Sequence, residues 1–112
     1  MKHILCQDQI GGLEVKTVSG QWVAASPVPG TVLLNVGDLL ENISAGKFPA
    51  TPHRVLVPSS EEKRWQTRQS IAFFVQPDSD IECQPVTGPQ PSYPPTRVEE
   101  YIRKRVGETL RK

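Results

Sequence analysis

Six of the eleven prolines in this 112-residue chain fall between Pro77 and Pro95. Each proline locks φ and removes a backbone donor, so no helix interior or central strand can run through that stretch. Proline overall is roughly twice its average share, and the excess is concentrated there. The stretch is therefore expected to be extended and irregular. It separates a longer body from a short C-terminal element.

The body reads as strands. Short apolar runs recur at close intervals, at His3–Gln7, Leu13–Lys16, Gln21–Ala25, Thr31–Val36, His53–Val57 and Ser70–Gln76. Gly11-Gly12, Ser19-Gly20, Pro29-Gly30 and Ala45-Gly46 punctuate them as turn signals. This is the pattern of an all-β sandwich or barrel. In the last run, Ile71, Phe73 and Val75 alternate with Ala72, Phe74 and Gln76, so both faces are partly apolar and burial of both is expected.

After the prolines the period changes. Thr96-Arg97-Val98-Glu99 fits a capping box, with Thr96 as N-cap and Glu99 reaching back. Val98, Tyr101, Ile102 and Val106 then follow helical spacing and form one apolar stripe. The acids come early and the bases late, an order that suits the helix dipole. This reads as a docking helix with a solvated basic face.

Length and charge remove several functions. A chain of 112 residues makes one domain. No apolar run approaches the ~20 residues of a membrane span, and the start lacks a secretory signal, so no membrane partner is expected. A net charge of +1 lacks the basic excess of a nucleic-acid binder. Cys6 and Cys83 have no local pairing motif and read as reduced thiols of a cytoplasmic protein. With only His3 and His53, a site built from several histidines is out of reach.

One constellation carries chemistry. Thr51-Pro52-His53-Arg54-Val55 opens one strand, and Arg68-Gln69-Ser70 opens the run Ile71-Ala72-Phe73-Phe74. Upstream stand Gln7-Asp8-x-x-Gly11-Gly12-Leu13-Glu14-Val15, a strand with Trp22, Pro27-x-Pro29-Gly30 and Asn35-x-Gly37-Asp38. In this order, with the proline-rich exit, the segments resemble the 2-oxoglutarate/Fe(II)-dependent oxygenases of the isopenicillin N synthase-like group, over roughly residues 3 to 95. The resemblance implies a mainly β fold, a double-stranded β-helix (jelly-roll) portion with a C-terminal helix. It divides the chain into a partial oxygenase domain at 1–77 (strands III to VIII of the family), a connector at 78–95 and a helix at 96–112.

The resemblance also implies a site. His53 matches the distal histidine ligand of Fe(II), Arg68 the arginine that grips the C5 carboxylate of 2-oxoglutarate, and Ser70 the hydroxyl that assists it. The residue chemistry agrees. A guanidinium is a planar fork matched to a carboxylate, and a hydroxyl two residues on points to the same face of a strand. The expected reaction oxidises a small molecule while the cosubstrate is decarboxylated to succinate and carbon dioxide.

The family's other two iron ligands come from a His-x-Asp some ten residues before the Gln-Asp segment, a place that would lie before Met1. His3 matches an ordinary strand position of the family, and Leu5 stands where a carboxylate would have to follow it. By the same alignment two barrel strands that flank those bearing Arg68 and His53 are absent. The expectation is the C-terminal portion of an oxygenase, a truncated product or short isoform, inactive alone, with exposed strand edges that invite self-association. The alternatives are a non-catalytic binding or interaction module of the same fold, and an unrelated small β-barrel binder. Asn35, Gly37 and Asp38 read as structural. Trp22, Trp65, Phe73 and Phe74 read as packing residues, Glu61-Glu62-Lys63-Arg64 as a solvated loop tip, and His3 as a strand residue without a role.

Overall fold

A computed structural model describes residues 2–110, apart from the side chains of Lys63 and Thr109. All six apolar runs are strands: β1 (Lys2–Gln7), β2 (Leu13–Lys16), β3 (Trp22–Ala24), β4 (Leu33–Val36), β5 (His53–Val55) and β6 (Ser70–Val75). They lie almost wholly in one compact unit, Lys2–Asn35 with Thr51–Phe74. Two three-stranded sheets form there, ordered β4-β1-β6 and β3-β2-β5.

In the second sheet β2 pairs antiparallel with both neighbours, placing Glu14 opposite Ala24 and Arg54, and Val15 opposite Val23 and His53. Ser19-Gly20 turns the chain from β2 to β3, with the Gly20 N–H donating to the Thr17 carbonyl at 2.9 Å. One face of this sheet carries a polar cluster. Arg54 meets Glu14 at 2.8 Å and lies 4.2 Å above the centre of the Trp22 ring. Both contacts face solvent, so each contributes on the order of 0.5–1 kcal/mol.

β5 and β6 are edge strands, and every residue of both is exposed. That agrees with the expected bare edges and overturns the expected burial of both faces of β6. Ile71 is 75% and Phe73 65% exposed, and Trp65 stands out at 85%. Trp65, Phe73 and Phe74 are thus not packed in a core. Among the described residues β6 has one strand neighbour, and nothing layers over its outer face.

The other unit gathers Val36–Ala50 with residues 75–110. It holds helix α1 (Asp38–Ile43), a short pair β7 (Glu82–Cys83) and β8 (Thr96–Arg97), and helix α3 (Val98–Leu110). The single turn Glu61–Arg64, α2, belongs to the first unit and replaces the expected loop tip. Leu39, Cys83 and Val98 are fully buried together, with Ile43, Tyr101 and Ile102 against them. Burial pushes the Cys83 thiol up. Ala45-Gly46, expected as a turn between strands, instead ends α1 with both residues at positive φ (52° and 79°).

Two expectations for the C-terminal part need correction. The proline stretch is not irregular throughout, because Cys83 pairs with Thr96 and Glu82 with Arg97 across its ends. Thr96 therefore lies in a strand and does not cap the helix. Its hydroxyl donates to the Pro94 carbonyl, while the Val98 and Glu99 N–H groups donate to the Ile81 and Ser79 carbonyls at 3.0 Å. Carbonyls of the preceding loop satisfy the helix start, so no capping box is needed. Val98, Tyr101 and Ile102 dock as expected, but Val106 is 51% exposed, beyond the reach of the small core. Residues 111–112 of the expected helix lie outside the described residues.

Tyr101 fastens α3 to α1 through a 2.6 Å hydrogen bond from its hydroxyl to Asp38 Oδ2. Burial, then the bond to Asp38 and that carboxylate's charge, push the phenol up to about 12, with Arg105 pulling the other way. A raised folded value means this stabilisation is complete below the unfolded tyrosine value near ~10 and is lost as pH rises through the folded one. Urea unfolding should therefore weaken across the alkaline window from about 10 upward, and Tyr101→Phe should flatten that dependence. An alkaline dependence of urea unfolding that Tyr101→Phe leaves unchanged would contradict the assignment.

Candidate functional site

His53 opens β5 directly after Pro52. The Pro52 carbonyl accepts the Lys16 N–H at 2.9 Å, which keeps the entry to the strand in register with β2. His53 Nδ1 lies 3.1 Å from the Thr51 carbonyl oxygen. A carbonyl only accepts, so Nδ1 carries the proton and Nε2 presents its lone pair. That is the tautomer of a metal-ligating imidazole, oriented by a backbone carbonyl.

Arg68 and Ser70 come together as their spacing predicts. Arg68 Nη1 donates to Ser70 Oγ at 3.0 Å, and Arg68 Nε donates to the Gly11 carbonyl at 2.9 Å. Of the five N–H groups of a guanidinium, three then remain for a carboxylate. The side chain is half-buried, which strengthens such a contact over one in open water.

A short loop positions this pair, and the expected site residues did not include it. Asp8, which follows β1, accepts the Gln69 N–H on Oδ2 and the Ile10 N–H on Oδ1, and its own N–H donates to the Gln69 carbonyl at 3.2 Å. Gly11 and Gly12 follow at φ 81° and 90°. The Gly12 carbonyl accepts the Leu56 N–H at 2.8 Å, just beyond β5. One loop thus holds the Arg68–Ser70 segment with Asp8 and Gly11, and the end of the His53 strand with Gly12. The signal was already in the Gln7-Asp8-x-x-Gly11-Gly12 segment, read for its resemblance and not for its bonds.

His3 was the other omission. It lies on β1, the centre of its sheet, flanked by Asn35 of β4 (Nδ2 to His3 Nδ1, 3.4 Å) and Phe74 of β6 (ring centres 4.5 Å apart). Alternation puts Phe74 on the same face of β6 as Ser70. His53, on the other sheet, has its ring centre 6.3 Å from that of His3, with the rings nearly perpendicular. Asn35, expected to be structural, therefore touches a residue beside the candidate site. Among the described residues no three His, Cys, Asp or Glu side chains converge on a metal-sized site, and no helix is long and apolar enough to cross a membrane.

Comparison with known proteins places this geometry in a family. Residues 1–77 match the family described as the 2OG-Fe(II) oxygenase superfamily. The 2-oxoglutarate-Fe(II) type oxidoreductase hxnY of Emericella nidulans is 38% identical over 106 residues, covering 89% of this chain and 29% of that protein. Gibberellin 2-beta-dioxygenase 7 of Arabidopsis thaliana is 42% identical over 82 residues, covering 71% and 23%. Among solved structures, a full-length Neurospora crassa protein in complex with alpha-KG superposes with a TM-score of 0.82 at 33% identity, over 95% of this chain and 37% of that one. JOX2 in complex with 2OG, Fe and JA gives 0.75 at 32%, over 90% and 30%. The chain thus spans less than a third of the length of these curated relatives. The fold is mainly β, a portion of a double-stranded β-helix with a C-terminal helix.

The Asp8 contacts generate a test of the loop. Asp8→Ala strips an acceptor from the Gln69 and Ile10 N–H groups and should destabilise the chain by about 1–3 kcal/mol in urea unfolding. Asp8→Asn keeps one acceptor oxygen and should cost less. Equal stability of wild type and Asp8→Ala would remove the loop's positioning role.

Proposed function

The chain belongs to the 2OG-Fe(II) oxygenase superfamily, and on that premise we propose that it is the C-terminal part of a non-haem Fe(II)- and 2-oxoglutarate-dependent dioxygenase acting on a small organic molecule. The observation that carries this reading is the Arg68–Ser70 pair, a guanidinium and a hydroxyl bonded at 3.0 Å with donors to spare. In the proposal this pair holds the distal carboxylate of 2-oxoglutarate. Charge complementarity and the forked geometry fix its direction, so that its keto-acid end points away from the guanidinium.

His53 is proposed as one ligand of the iron, through the Nε2 that its bond to Thr51 leaves as the acceptor. Bound iron would supply oxygen activation coupled to decarboxylation of the cosubstrate, giving succinate and carbon dioxide. The described residues do not by themselves fit a three-ligand iron centre. The chain alone is therefore proposed to be inactive, the ligand set being completed in a longer chain such as those of its relatives.

A small-molecule substrate is proposed because the Neurospora crassa protein has also been solved with thymine, and JOX2 with JA. The boundary at residue 77, before a connector at 78–95 and a helix at 96–112, is proposed on the extent of the family match. A cytoplasmic setting is proposed from the free thiols of Cys6 and Cys83. Self-association through β6 is proposed from its unpaired edge and exposed apolar side chains.

Anaerobic titration with Fe(II) and 2-oxoglutarate tests the catalytic reading. The chelate charge-transfer band should be missing from this chain and present in a longer chain that supplies the other ligands. There His53→Ala should abolish the band and turnover. Arg68→Ala should weaken 2-oxoglutarate by about ten- to a hundredfold, the loss of a charge-assisted contact of ~1.5–3 kcal/mol. Unchanged cosubstrate affinity in Arg68→Ala would refute its assignment.

Self-association has a separate test. Size-exclusion chromatography with light scattering should show species above the monomer mass, and Phe73→Lys on the exposed face of β6 should shift them toward monomer. A monomeric wild type at all concentrations would remove the edge-pairing proposal.

A further inference from the structure

We propose that the outer face of the sheet β4-β1-β6 is an interface for a second copy of this chain, packed face to face. This rests on the proposed self-association and goes further, assigning the contact to the face of the sheet and not to the edge of β6. Contacts already described fix which way the side chains point. His3 touches Asn35 of β4 and Phe74 of β6, so these three share the inner face. Alternation then turns Ile4 and Cys6 of β1, Leu34 of β4, and Ile71 and Phe73 of β6 to the outer face. Asp8 bonds to Gln69 while His3 meets Phe74, an antiparallel register that sets Cys6 beside Ile71 and Ile4 beside Phe73. The side chains form one contiguous patch centred on β1, and all belong to one compact unit.

The patch is apolar, open and large enough. Ile71 is 75%, Phe73 65% and Leu34 58% exposed, Cys6 is exposed, and Ile4 is half-buried. Monomeric proteins rarely leave more than a few hundred Å² of contiguous apolar surface uncovered, and this patch is on the order of 400–500 Å². A sheet with apolar residues on both faces needs a layer on each, and among the described residues none covers this one. A second copy supplies that layer, because a two-fold axis sets the same patch against itself and the contact closes at two copies. Two sheets so stacked lie about 10 Å apart with their strands roughly aligned. Together the patches and their polar rims bury about 1,000 Å², the area at which an interface becomes specific. Leu34 separates this contact from edge pairing, since it lies on β4, the strand farthest from the β6 edge.

Light scattering after size exclusion, combined with the reactivity of the Cys6 thiol, tests the surface on the tag-free full chain. Cys83 is buried, so Cys6 is the reporter. The wild type should run as a dimer. At concentrations where the dimer forms, Cys6 should react with dithiobis(nitrobenzoate) about tenfold more slowly, or slower still, than on dilution. Leu34→Lys, a change at an exposed position, should be monomeric at those concentrations with Cys6 reactive throughout. Larger species whose Cys6 stays reactive, or that persist in Leu34→Lys, would overturn the face contact while leaving pairing through the β6 edge. A monomeric wild type would overturn both. The thiol measurement on the wild type needs no variant to fold.

Discussion

The loop from Asp8 to Gly12 is the constraint on which the candidate site depends, because it is bonded to both strands that carry it. Asp8 and Gly11 accept hydrogen bonds from Gln69 and Arg68, and Gly12 accepts one from Leu56. At Gly12 the demand is steric as well as conformational. Its φ is 90°, and a Cβ built there would lie 2.6 Å from the Leu56 carbonyl oxygen. A residue larger than glycine would have to push away the strand end that follows His53, or abandon the left-handed conformation that aims the carbonyl at Leu56. The loop is thus a small rigid element, and two otherwise independent edge strands are referenced to it.

That dependence explains what was legible in the sequence. The six strands were readable because each is a short apolar run ended by a residue with a strong local preference, and those preferences act without tertiary help. His53, Arg68 and Ser70 were readable because their spacing encodes alternation on strands, and Arg68 and Ser70 do meet. What the sequence hid is what long-range bonds decide. Thr96 has the local signature of an N-cap, but pairing with Cys83 draws it into a strand, and loop carbonyls serve the helix start instead. Helix α1 has no capping side chain, Gly37 standing at its N-cap, so it carries little local signal. His3 gives no signal at all, because a lone histidine in a strand acquires meaning only when the other sheet brings His53 opposite it.

The exposed face of β6 marks where local and global demands part. Ser70–Val75 has the composition of a buried strand, yet all six residues are exposed and, among the described residues, the strand has one neighbour. Burying a large apolar side chain contributes on the order of 1.5–3 kcal/mol, so Ile71, Phe73 and Phe74 leave a stabilisation of several kcal/mol unrealised. For a domain whose net stability is typically ~5–15 kcal/mol, that shortfall is large. The other unit does close a core of its own. Leu39, Cys83 and Val98 close its small core, and the Tyr101–Asp38 bond spans α3 and α1.

The two halves of the candidate site differ in how much of their chemistry they hold locally. The proposed carboxylate recognition needs one fork of donors and one hydroxyl, and a tripeptide, Arg68 to Ser70, oriented by one loop, has both. A metal centre needs several donors converging from different directions, which no single strand can supply because its neighbouring side chains diverge to opposite faces. Ligands must therefore be brought from separate strands. On the proposed reading, the carboxylate anchor would be built within one local segment, whereas a metal centre would draw its donors from strands far apart in the chain.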